Sequence, residues 1–324
     1  MSLQNFSYHD TIGIASFLGR GFMNPIDLRF DSTGVLFVLS RSNASNKNVR
    51  VSAQTLDSEF LYEFANWGTD PGQTTMPTAL AFDSRDRLYV SDEHMNNISV
   101  FDREGNFIER WGEFGSGPGQ FNRPSGLAVD SDDNVLVMDH LNSRIQKMTP
   151  DGRYISSFGS DGGGPGEFNF AWGISVDSVG DIWVADWRND RIQRFTSDGE
   201  FVSMFGSSGT ADGRFDRPSG VHVDHRGQIY VADWRNDRVQ VFDNRGAHTE
   251  TLLGDATLSK WCQEFIAVNP EQAGWRENAG LFEEEKRFWR PSAIETNSDG
   301  LVLIADACRH RVQIYSQLNE PALT

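Results

Sequence analysis

Cysteine is scarce in this chain, with only Cys262 and Cys308 among 324 residues. Two cysteines cannot build the disulfide framework that holds small secreted domains together. The fold must therefore depend on the packing of valine, isoleucine, leucine and phenylalanine side chains. The sequence leaves open whether the two thiols are free or joined in a single bridge.

Long apolar segments are absent as well. A helix needs about 20 apolar residues to cross a bilayer, and no stretch approaches this length. The first ten residues contain neither the basic start nor the apolar centre of a secretion signal. We therefore expect a soluble, cytoplasmic protein without a membrane partner.

Basic residues are few relative to acidic ones. The chain has 29 lysines and arginines against 46 aspartates and glutamates, which gives a net charge of −17. A field of this sign repels the phosphate backbone of nucleic acids. We therefore expect no nucleic-acid partner.

The chain repeats one phrase almost letter for letter. The segment Val184–Gln193, VADWRNDRIQ, returns as VADWRNDRVQ at Val231–Gln240, 47 residues later. Within the wider unit, apolar residues alternate with polar ones, and aspartate, asparagine and glycine mark tight turns. This pattern is typical of four short antiparallel strands.

Six copies of the unit can be aligned by the residue that begins their innermost strand. These residues are Pro25, Pro77, Pro124, Ala171, Pro218 and Pro291. Six repeats of four strands predict an all-β fold, a six-bladed β-propeller in one domain over residues 1–324. The sixth unit ends after its third strand, Arg311–Tyr315, and the segment Thr11–Gly19 matches the fourth-strand pattern. We expect an N-terminal strand to complete the last blade and close the ring.

An insertion separates blades five and six, because Pro218 and Pro291 are 73 residues apart instead of the usual 47. It spans about residues 255–290 and has a helical pattern, with Ser259 and Asn278 as candidate caps. We expect it to form a lid on the mouth of the central channel. The residues predicted to lie in this lid are Trp261, Trp275, Arg276 and Trp289.

The repeated phrases resemble those of the NHL repeat family. Pro218–Asp224 has the form Pro-x-Gly-Val-x-Val-Asp, and Val231–Phe242 has the Val-Ala-Asp phrase followed by Asn, Arg and an apolar ending. The resemblance implies a ring-shaped propeller. It leaves the function open, since NHL propellers serve as enzymes, protein-binding platforms and RNA-binding modules.

Two kinds of loop should open on one face of the ring, here called the mouth face. They are the connections that enter the inner strands and the loops between second and third strands. A variable pair of residues follows the aspartate that ends each second strand. From these loops we predict His94 and His140 as catalytic acid or base groups, although loop histidines are often merely solvated. The predicted ligand-binding residues of the mouth are Arg188, Arg235, Trp187, Trp234, Trp172, Arg41, Glu93 and Cys308.

Arg188 and Arg235 are predicted to clamp an anionic group, since a guanidinium pairs with a carboxylate or phosphate through two hydrogen bonds. They are equally consistent with a surface on which the lid packs. His222, inside an inner strand, is a candidate to face the channel. The repeated aspartates and arginines are interpreted as blade-to-blade struts. They are Asp92, Asp139, Asp186, Asp233 and Asp306 with Arg144, Arg191, Arg238 and Arg311.

The residue after each strand-opening position is also informative. Ile26, Thr78, Ser125, Trp172, Ser219 and Ser292 occupy it. The hydroxyls among them are candidates to hold water or a polar ligand. In the peptidyl-hydroxyglycine amidating lyase, an NHL-like six-bladed enzyme, zinc-binding histidines stand at such positions. That set is missing here, so the resemblance does not transfer its activity. No metal motif is present and no cofactor is indicated, which leaves a channel metal as an open alternative.

These observations favour an enzyme that acts on a small, anionic organic substrate by proton transfer, lyase or hydrolase-like, in a lidded channel mouth. The alternative is a non-enzymatic platform that binds a protein or peptide on the same face, with tryptophan and arginine as anchors.

Overall fold

The computed structural model describes residues 5–41 and 47–318. It contains six four-stranded antiparallel sheets, which confirms the all-β, six-bladed propeller. The strands of each blade are given from the inner to the outer one. Blade one consists of Pro25–Phe30, Leu36–Arg41, Val49–Gln54 and Phe60–Phe64, and blade two of Pro77–Phe82, Leu88–Asp92, Asn97–Phe101 and Phe107–Trp111. Blade three consists of Pro124–Val129, Val135–Asp139, Arg144–Met148 and Tyr154–Phe158. Blades four to six are Ile174–Val176, Ile182–Asp186, Arg191–Phe195 and Phe201–Phe205; Pro218–Val223, Ile229–Asp233, Arg238–Phe242 and His248–Leu252; and Pro291–Thr296, Leu301–Asp306, Arg311–Gln317 and Phe6–Ile12.

The N-terminal strand completes blade six, but it lies earlier in the chain than predicted. Phe6–Ile12 pairs with Arg311–Gln317, whereas the sequence pattern had indicated Thr11–Gly19. The reason is Gly13, which has a φ of 116° and lies against the ring of Phe22. In blades two to four, a glycine at the end of the outer strand likewise packs on a phenylalanine nine residues later. Those pairs are Gly112 with Phe121, Gly159 with Phe168 and Gly206 with Phe215.

The hydrophobic core is a closed series of six clusters, each shared by two neighbouring blades. Alternation along each strand sends one set of side chains to the preceding blade and the other set to the following blade. The cluster between blades six and one joins Ile12 and Leu303 to Leu28 and Val38, and it includes Trp261 from the insertion. The ring is therefore held together at every seam by apolar burial.

A buried aspartate ends the second strand of each regular blade and gathers polar groups around it. Asp186 accepts hydrogen bonds from Arg191 Nε at 2.8 Å and Gln193 Nε2 at 3.1 Å. It also accepts one from the backbone N–H of Asn169 at 2.8 Å. Arg191 donates in turn to the carbonyl of Glu167 at 2.8 Å. These residues therefore tie the second and third strands to the connection arriving from the previous blade, which is a structural role.

The insertion forms α1 (Lys260–Val268), α2 (Pro270–Ala279) and α3 (Phe282–Lys286). Ser259 is the N-cap of α1, because its side chain accepts the N–H of Cys262. The side chain of Trp261 is 4% exposed, and its Nε1 donates to the carbonyl of Ser58, in the outer hairpin of blade one, at 2.7 Å. Lys260 pairs with Glu59 in the same hairpin at 2.7 Å. Helix α1 thus bridges the seam where the ring closes.

The prediction that Trp261 covers the channel mouth is therefore wrong. Its indole lies in the core between blades six and one, and the Ser259 hydroxyl donates to the carbonyl of Gly13 at the outer edge of blade six. Arg276 forms an ion pair with Glu285 at 2.9 Å inside the insertion itself. Trp275 is 62% exposed. The sequence showed the helices but not the surface on which they pack.

No helix in the described part of the chain is long and apolar enough to span a bilayer.

Candidate functional site

The mouth face is built by one backbone hydrogen bond that recurs from blade to blade. In blade three the N–H of Leu141 donates to the carbonyl of Asn122, and in blade four that of Arg188 donates to Asn169, both at 3.0 Å. The loop between second and third strands is thus tied to the connection that enters the same blade. The variable residues consequently lie beside the start of the inner strands, as predicted.

The channel below this face is narrow. A cavity of about 30 Å³ is lined by residues in or just before the inner strands, among them Ile26, Thr78 and Trp172. This volume holds one or two waters. The predicted ligand-binding hydroxyls are already engaged by the next blade: Thr78 Oγ1 donates to the carbonyl of Pro124 at 3.0 Å, and Ser292 Oγ donates to that of Pro25 at 3.0 Å. A ligand at this end must therefore rest on the mouth face.

His140 is the predicted catalytic residue with a fixed orientation. It lies in a short 3-10 turn, His140–Asn142, and is 7% exposed. Its Nδ1 is 2.9 Å from the carbonyl oxygen of Ala171. Because a carbonyl only accepts, Nδ1 carries the proton and Nε2 holds a lone pair. Among the described residues nothing hydrogen-bonds to Nε2, and this atom is not sealed from solvent.

Burial lowers the pKa of His140, although the Ala171 carbonyl and the Glu93 carboxylate both favour the charged ring. The positive charges of Arg123 and Arg188 lower the pKa further. His140 is therefore a neutral imidazole at neutral pH. Its ring is held edge-on by Phe170 and Trp172, with centroids 4.9 and 5.2 Å away.

Two more predicted ligand-binding residues, Arg41 and Glu93, pair with each other at 2.7 Å. Glu93 is 7% exposed, so this pair is largely removed from water. It connects blade one with blade two beside the site of His140. Arg41 is thus engaged by a carboxylate of the protein, while Arg123 and Arg188 are exposed at the mouth.

Arginines stack on aromatic rings along blades four to six, and these pairs are here called the arginine–aromatic arc. The guanidinium carbon lies 3.7 Å from the ring centroid in Arg188–Phe170, 4.2 Å in Arg217–Trp187, 4.2 Å in Arg290–Trp234 and 5.5 Å in Arg309–Trp289. Stacking keeps each guanidinium extended and leaves its edge N–H groups able to bind an anion, except that Arg309 Nη2 already donates to the carbonyl of Glu284 at 2.7 Å. The arc is a cationic strip on a chain whose net charge is −17.

Other predicted residues do not join this group. The side chain of His94 is exposed and has no hydrogen-bond partner within residues 5–41 and 47–318. Arg235 is exposed and lies 3.7 Å from Asp216. Cys262 and Cys308 are free, so they form no bridge. Burial raises the pKa of the Cys308 thiol, which argues against its use as a nucleophile.

Sequence reasoning missed a charged cluster at the opposite end of the channel, here called the lower site. It lies where the inner strands of blades five, six and one end. Arg29 Nη1 is 2.8 Å from Asp27 and 3.6 Å from Glu295. His222 Nε2 is 2.8 Å from Thr296 Oγ1. His222 lines the channel, as the sequence suggested, whereas nothing in the repeat singled out the other members.

Burial dominates the titration of the lower site. It raises the pKa of Glu295 to about 7, against the opposing effect of the Arg29 charge. Burial and the same arginine lower the pKa of His222 to about 3. Titratable groups with pKa values displaced so far within a cavity are typical of functional sites.

These two shifts predict opposite effects on stability. Glu295 takes up a proton on folding between pH 4.5 and 7, so its contribution to stability falls as pH rises through that window. His222 releases one between pH 6.5 and 3, so its contribution falls as pH drops. We expect Glu295→Gln to stabilise the protein by about 2–3 kcal/mol above pH 7, and by little below pH ~5.

Urea unfolding at a series of pH values measures this difference. His222→Gln is the matched variant, because its effect should appear on the acid side instead. Identical pH dependence in the Glu295→Gln variant and the parent protein would contradict the assignment.

Among the described residues, no group of three histidine, cysteine, aspartate or glutamate side chains is placed to hold a metal ion.

Comparisons with known proteins agree with this architecture. The NHL repeat model matches residues 168–195, 215–242 and 288–315. A family described as a 6-bladed beta-propeller, DUF5128, matches residues 77–148. The chain is a six-bladed propeller with NHL repeats. No curated protein matches this NHL propeller significantly.

Several solved structures share the fold. A protein of unknown function from Bacteroides thetaiotaomicron is 17% identical with a TM-score of 0.63, and the match covers 95% of the NHL propeller and 72% of that chain. A streptogramin B lyase is 15% identical with a TM-score of 0.57, covering 98% and 89%. A catalytically inactive virginiamycin B lyase from Staphylococcus aureus with quinupristin is 12% identical with a TM-score of 0.60, covering 97% and 100%. At these identities the likeness shows the fold alone.

Proposed function

We propose that this propeller is an enzyme that acts on a small, anionic organic substrate on its mouth face, with His140 as general base. The observation that carries the proposal is the orientation of His140. Its Nδ1 is held by the Ala171 carbonyl, 2.9 Å away, which leaves the Nε2 lone pair for a proton. A histidine positioned through one nitrogen and free at the other is the usual arrangement of a catalytic base.

The charges around His140 suit an anionic substrate. Arg123 and Arg188 are exposed and act on the imidazole through their positive charges. A carboxylate bound by them would lie close to Nε2. Glu93 would stabilise the imidazolium that forms when the base takes up a proton, since its negative charge raises the pKa of His140.

In a lyase reaction the base removes a proton from the carbon beside the carboxylate, a C=C bond forms, and a leaving group departs with its electron pair from the next carbon. In a hydrolase-like reaction the base removes a proton from water, the oxygen attacks an electrophilic carbon of the substrate, and the bond to the leaving group breaks. In both, the guanidinium groups stabilise the negative charge that develops on the substrate. The lyases among the structural neighbours share the fold with this chain, and the proposal rests on His140 rather than on their activity.

The test is a substrate screen with carboxylate-bearing compounds, followed by kinetics of two variants. We expect His140→Gln to lower kcat by about 10²–10⁴-fold, the usual contribution of a general base. The matched control is His94→Gln, an exposed histidine of the neighbouring blade, which should change kcat less than about threefold.

The pH profile is an independent readout. Since the pKa of His140 is lowered, kcat/KM should rise with pH in the acid range and level off by about pH 7. Equal activity of His140→Gln and the parent protein would contradict the proposal.

The arginine–aromatic arc favours a second candidate, a platform that binds an acidic peptide or protein. Trp187 and Trp234 have ring centroids 6.3 Å apart, and each carries an arginine 4.2 Å from its ring. Tryptophan and arginine are enriched at interface hot spots. A Trp187→Ala, Trp234→Ala double variant should weaken such binding by at least about tenfold, measured by calorimetry with acidic peptides. The same loss without any effect of His140→Gln would favour the platform over the enzyme.

A further inference from the structure

The lower site lies in a cavity that is wider than the rest of the channel. This cavity has a volume of about 210 Å³, and Arg29, His222 and Glu295 contribute to its wall. His222 also lines a groove of about 380 Å³ between the turns of blades five and six. The lower end of the channel is therefore large enough for a small organic molecule.

The arginine in this cavity is largely committed to another carboxylate. The Asp27 carboxylate accepts a hydrogen bond from Arg29 Nη1 at 2.8 Å. It also accepts hydrogen bonds from the backbone N–H groups of Leu28 at 2.9 Å and Leu80 at 2.7 Å. Glu295 lies farther from Arg29, at 3.6 Å, and within residues 5–41 and 47–318 its carboxylate accepts one hydrogen bond, from the backbone N–H of Thr296 at 3.2 Å. Asp27 is the nearer partner of Arg29, which leaves the carboxylate of Glu295 with only part of a counter-charge, although the Arg29 charge still acts on both Glu295 and His222.

Apart from Arg29, the polar groups that complete the cavity wall are a hydroxyl and an imidazole, and each of them can accept as well as donate a hydrogen bond. Ser175 presents a hydroxyl, and His222 is a neutral imidazole because its pKa lies near 3. Phe30 and Phe82 add aromatic rings to the wall. A carboxylate, neutral acceptors and aromatic rings together are the surroundings that bind an ammonium group.

We propose that the lower end of the channel binds a small organic cation, a primary ammonium with a short alkyl chain, with Glu295 as its counter-ion. The ammonium donates to Glu295, and the alkyl chain packs against Phe30 and Phe82. A metal ion fits this site less well, since no group of three metal-ligating side chains is present among the described residues.

Butylammonium chloride is the probe for this site, titrated into the full chain and followed by the amide signals of Thr296 and its neighbours in NMR spectra. We expect saturable shifts at pH 8.5 and binding at least about tenfold weaker at pH 5.5, because protonation of Glu295 removes the counter-ion. Glu295→Gln should weaken binding at pH 8.5 by about tenfold or more. His140→Gln, at the other end of the channel, is the control and should bind like the parent protein.

Sodium chloride and magnesium chloride at equal ionic strength separate ammonium binding from general cation effects. The proposal is overturned if Glu295→Gln binds butylammonium as tightly as the parent, if binding does not depend on pH, or if magnesium produces the same shifts. Should Glu295→Gln fail to fold, the carboxyl ¹³C signal of Glu295 in the parent protein decides the question. Its titration must move to lower pH when butylammonium is bound, and an unchanged titration overturns the proposal.

Discussion

Trp261→Ala should lower the free energy of unfolding by about 3–5 kcal/mol, the usual cost of removing a large buried aromatic side chain. The indole is 4% exposed and packs in the cluster that joins blades six and one. Its ring centroid is 6.1 Å from that of Phe22. The substitution also removes the hydrogen bond to the Ser58 carbonyl, which would leave that acceptor unpaired.

The position of the cavity that Trp261→Ala would create matters as much as its size. Blade six consists of three strands from the end of the chain and Phe6–Ile12 from its beginning, so closure of the ring depends on that one pairing. Trp261 and Ser259 hold α1 against both sides of the seam. We therefore expect amide exchange in Phe6–Ile12 to accelerate in the variant more than exchange in blade three.

Urea unfolding and hydrogen exchange measure these effects. Trp275→Ala is the matched control, because this tryptophan of the same insertion is 62% exposed and should cost less than about 0.5 kcal/mol. The loss of unfolding free energy for Trp261→Phe should fall between the losses for Trp261→Ala and Trp275→Ala, since phenylalanine keeps an aromatic ring but lacks the N–H donor. A cost at Trp261 no larger than at Trp275 would show that the insertion does not stabilise the seam.

Asp186→Ala should lower the free energy of unfolding by about 3–5 kcal/mol, because it removes one partner of a buried ion pair and leaves the groups that donate to Asp186 without their acceptor. Asp186 is fully buried. Its carboxylate accepts hydrogen bonds from the side chains of Arg191, Gln193 and Asn189 and from the backbone N–H of Asn169. Without it, the acceptors left to the charged Arg191 guanidinium among the described residues are backbone carbonyls and the Met204 sulfur. Burial raises the pKa of Asp186, so the folded protein binds a proton there more readily than the unfolded chain, and this group's contribution to stability falls as pH rises through that window.

Asp181→Ala is the control for this prediction. Asp181 pairs with Arg194 at 2.6 Å in the same blade, but both side chains are partly exposed, at 19% and 28%. Exposed pairs contribute about 0–1 kcal/mol. Equal costs at Asp181 and Asp186, measured by urea unfolding, would contradict the structural role assigned to the repeated aspartates.

The location of the candidate base was within reach of sequence reasoning, because it follows from the repeat. His140 occupies the variable position after a repeated aspartate, and the direction of the strands places that position on the mouth face. Its tautomer and its lowered pKa were not predictable. They depend on the Ala171 carbonyl and on Phe170 and Trp172, which come from the next blade.

Local patterns in the sequence are enough to specify the number of blades, their four antiparallel strands and the closure of the ring by an N-terminal strand in the last blade. These properties follow from local signals, namely the alternation of apolar residues and the turn residues, repeated with a constant period. Even the correct outer strand of blade six was encoded locally, in the nine-residue spacing from Gly13 to Phe22.

The contacts across the seams and the titration of groups in the channel depend instead on assembly of the whole ring. The surface on which α1 packs depends on the shape of the gap between blades six and one, which no local pattern describes. Asp27 and Arg29 meet His222 and Glu295 because closure of the ring brings the first blade against the last two. The pKa values of His222 and Glu295 follow mainly from burial, a property of the assembled ring rather than of any single repeat.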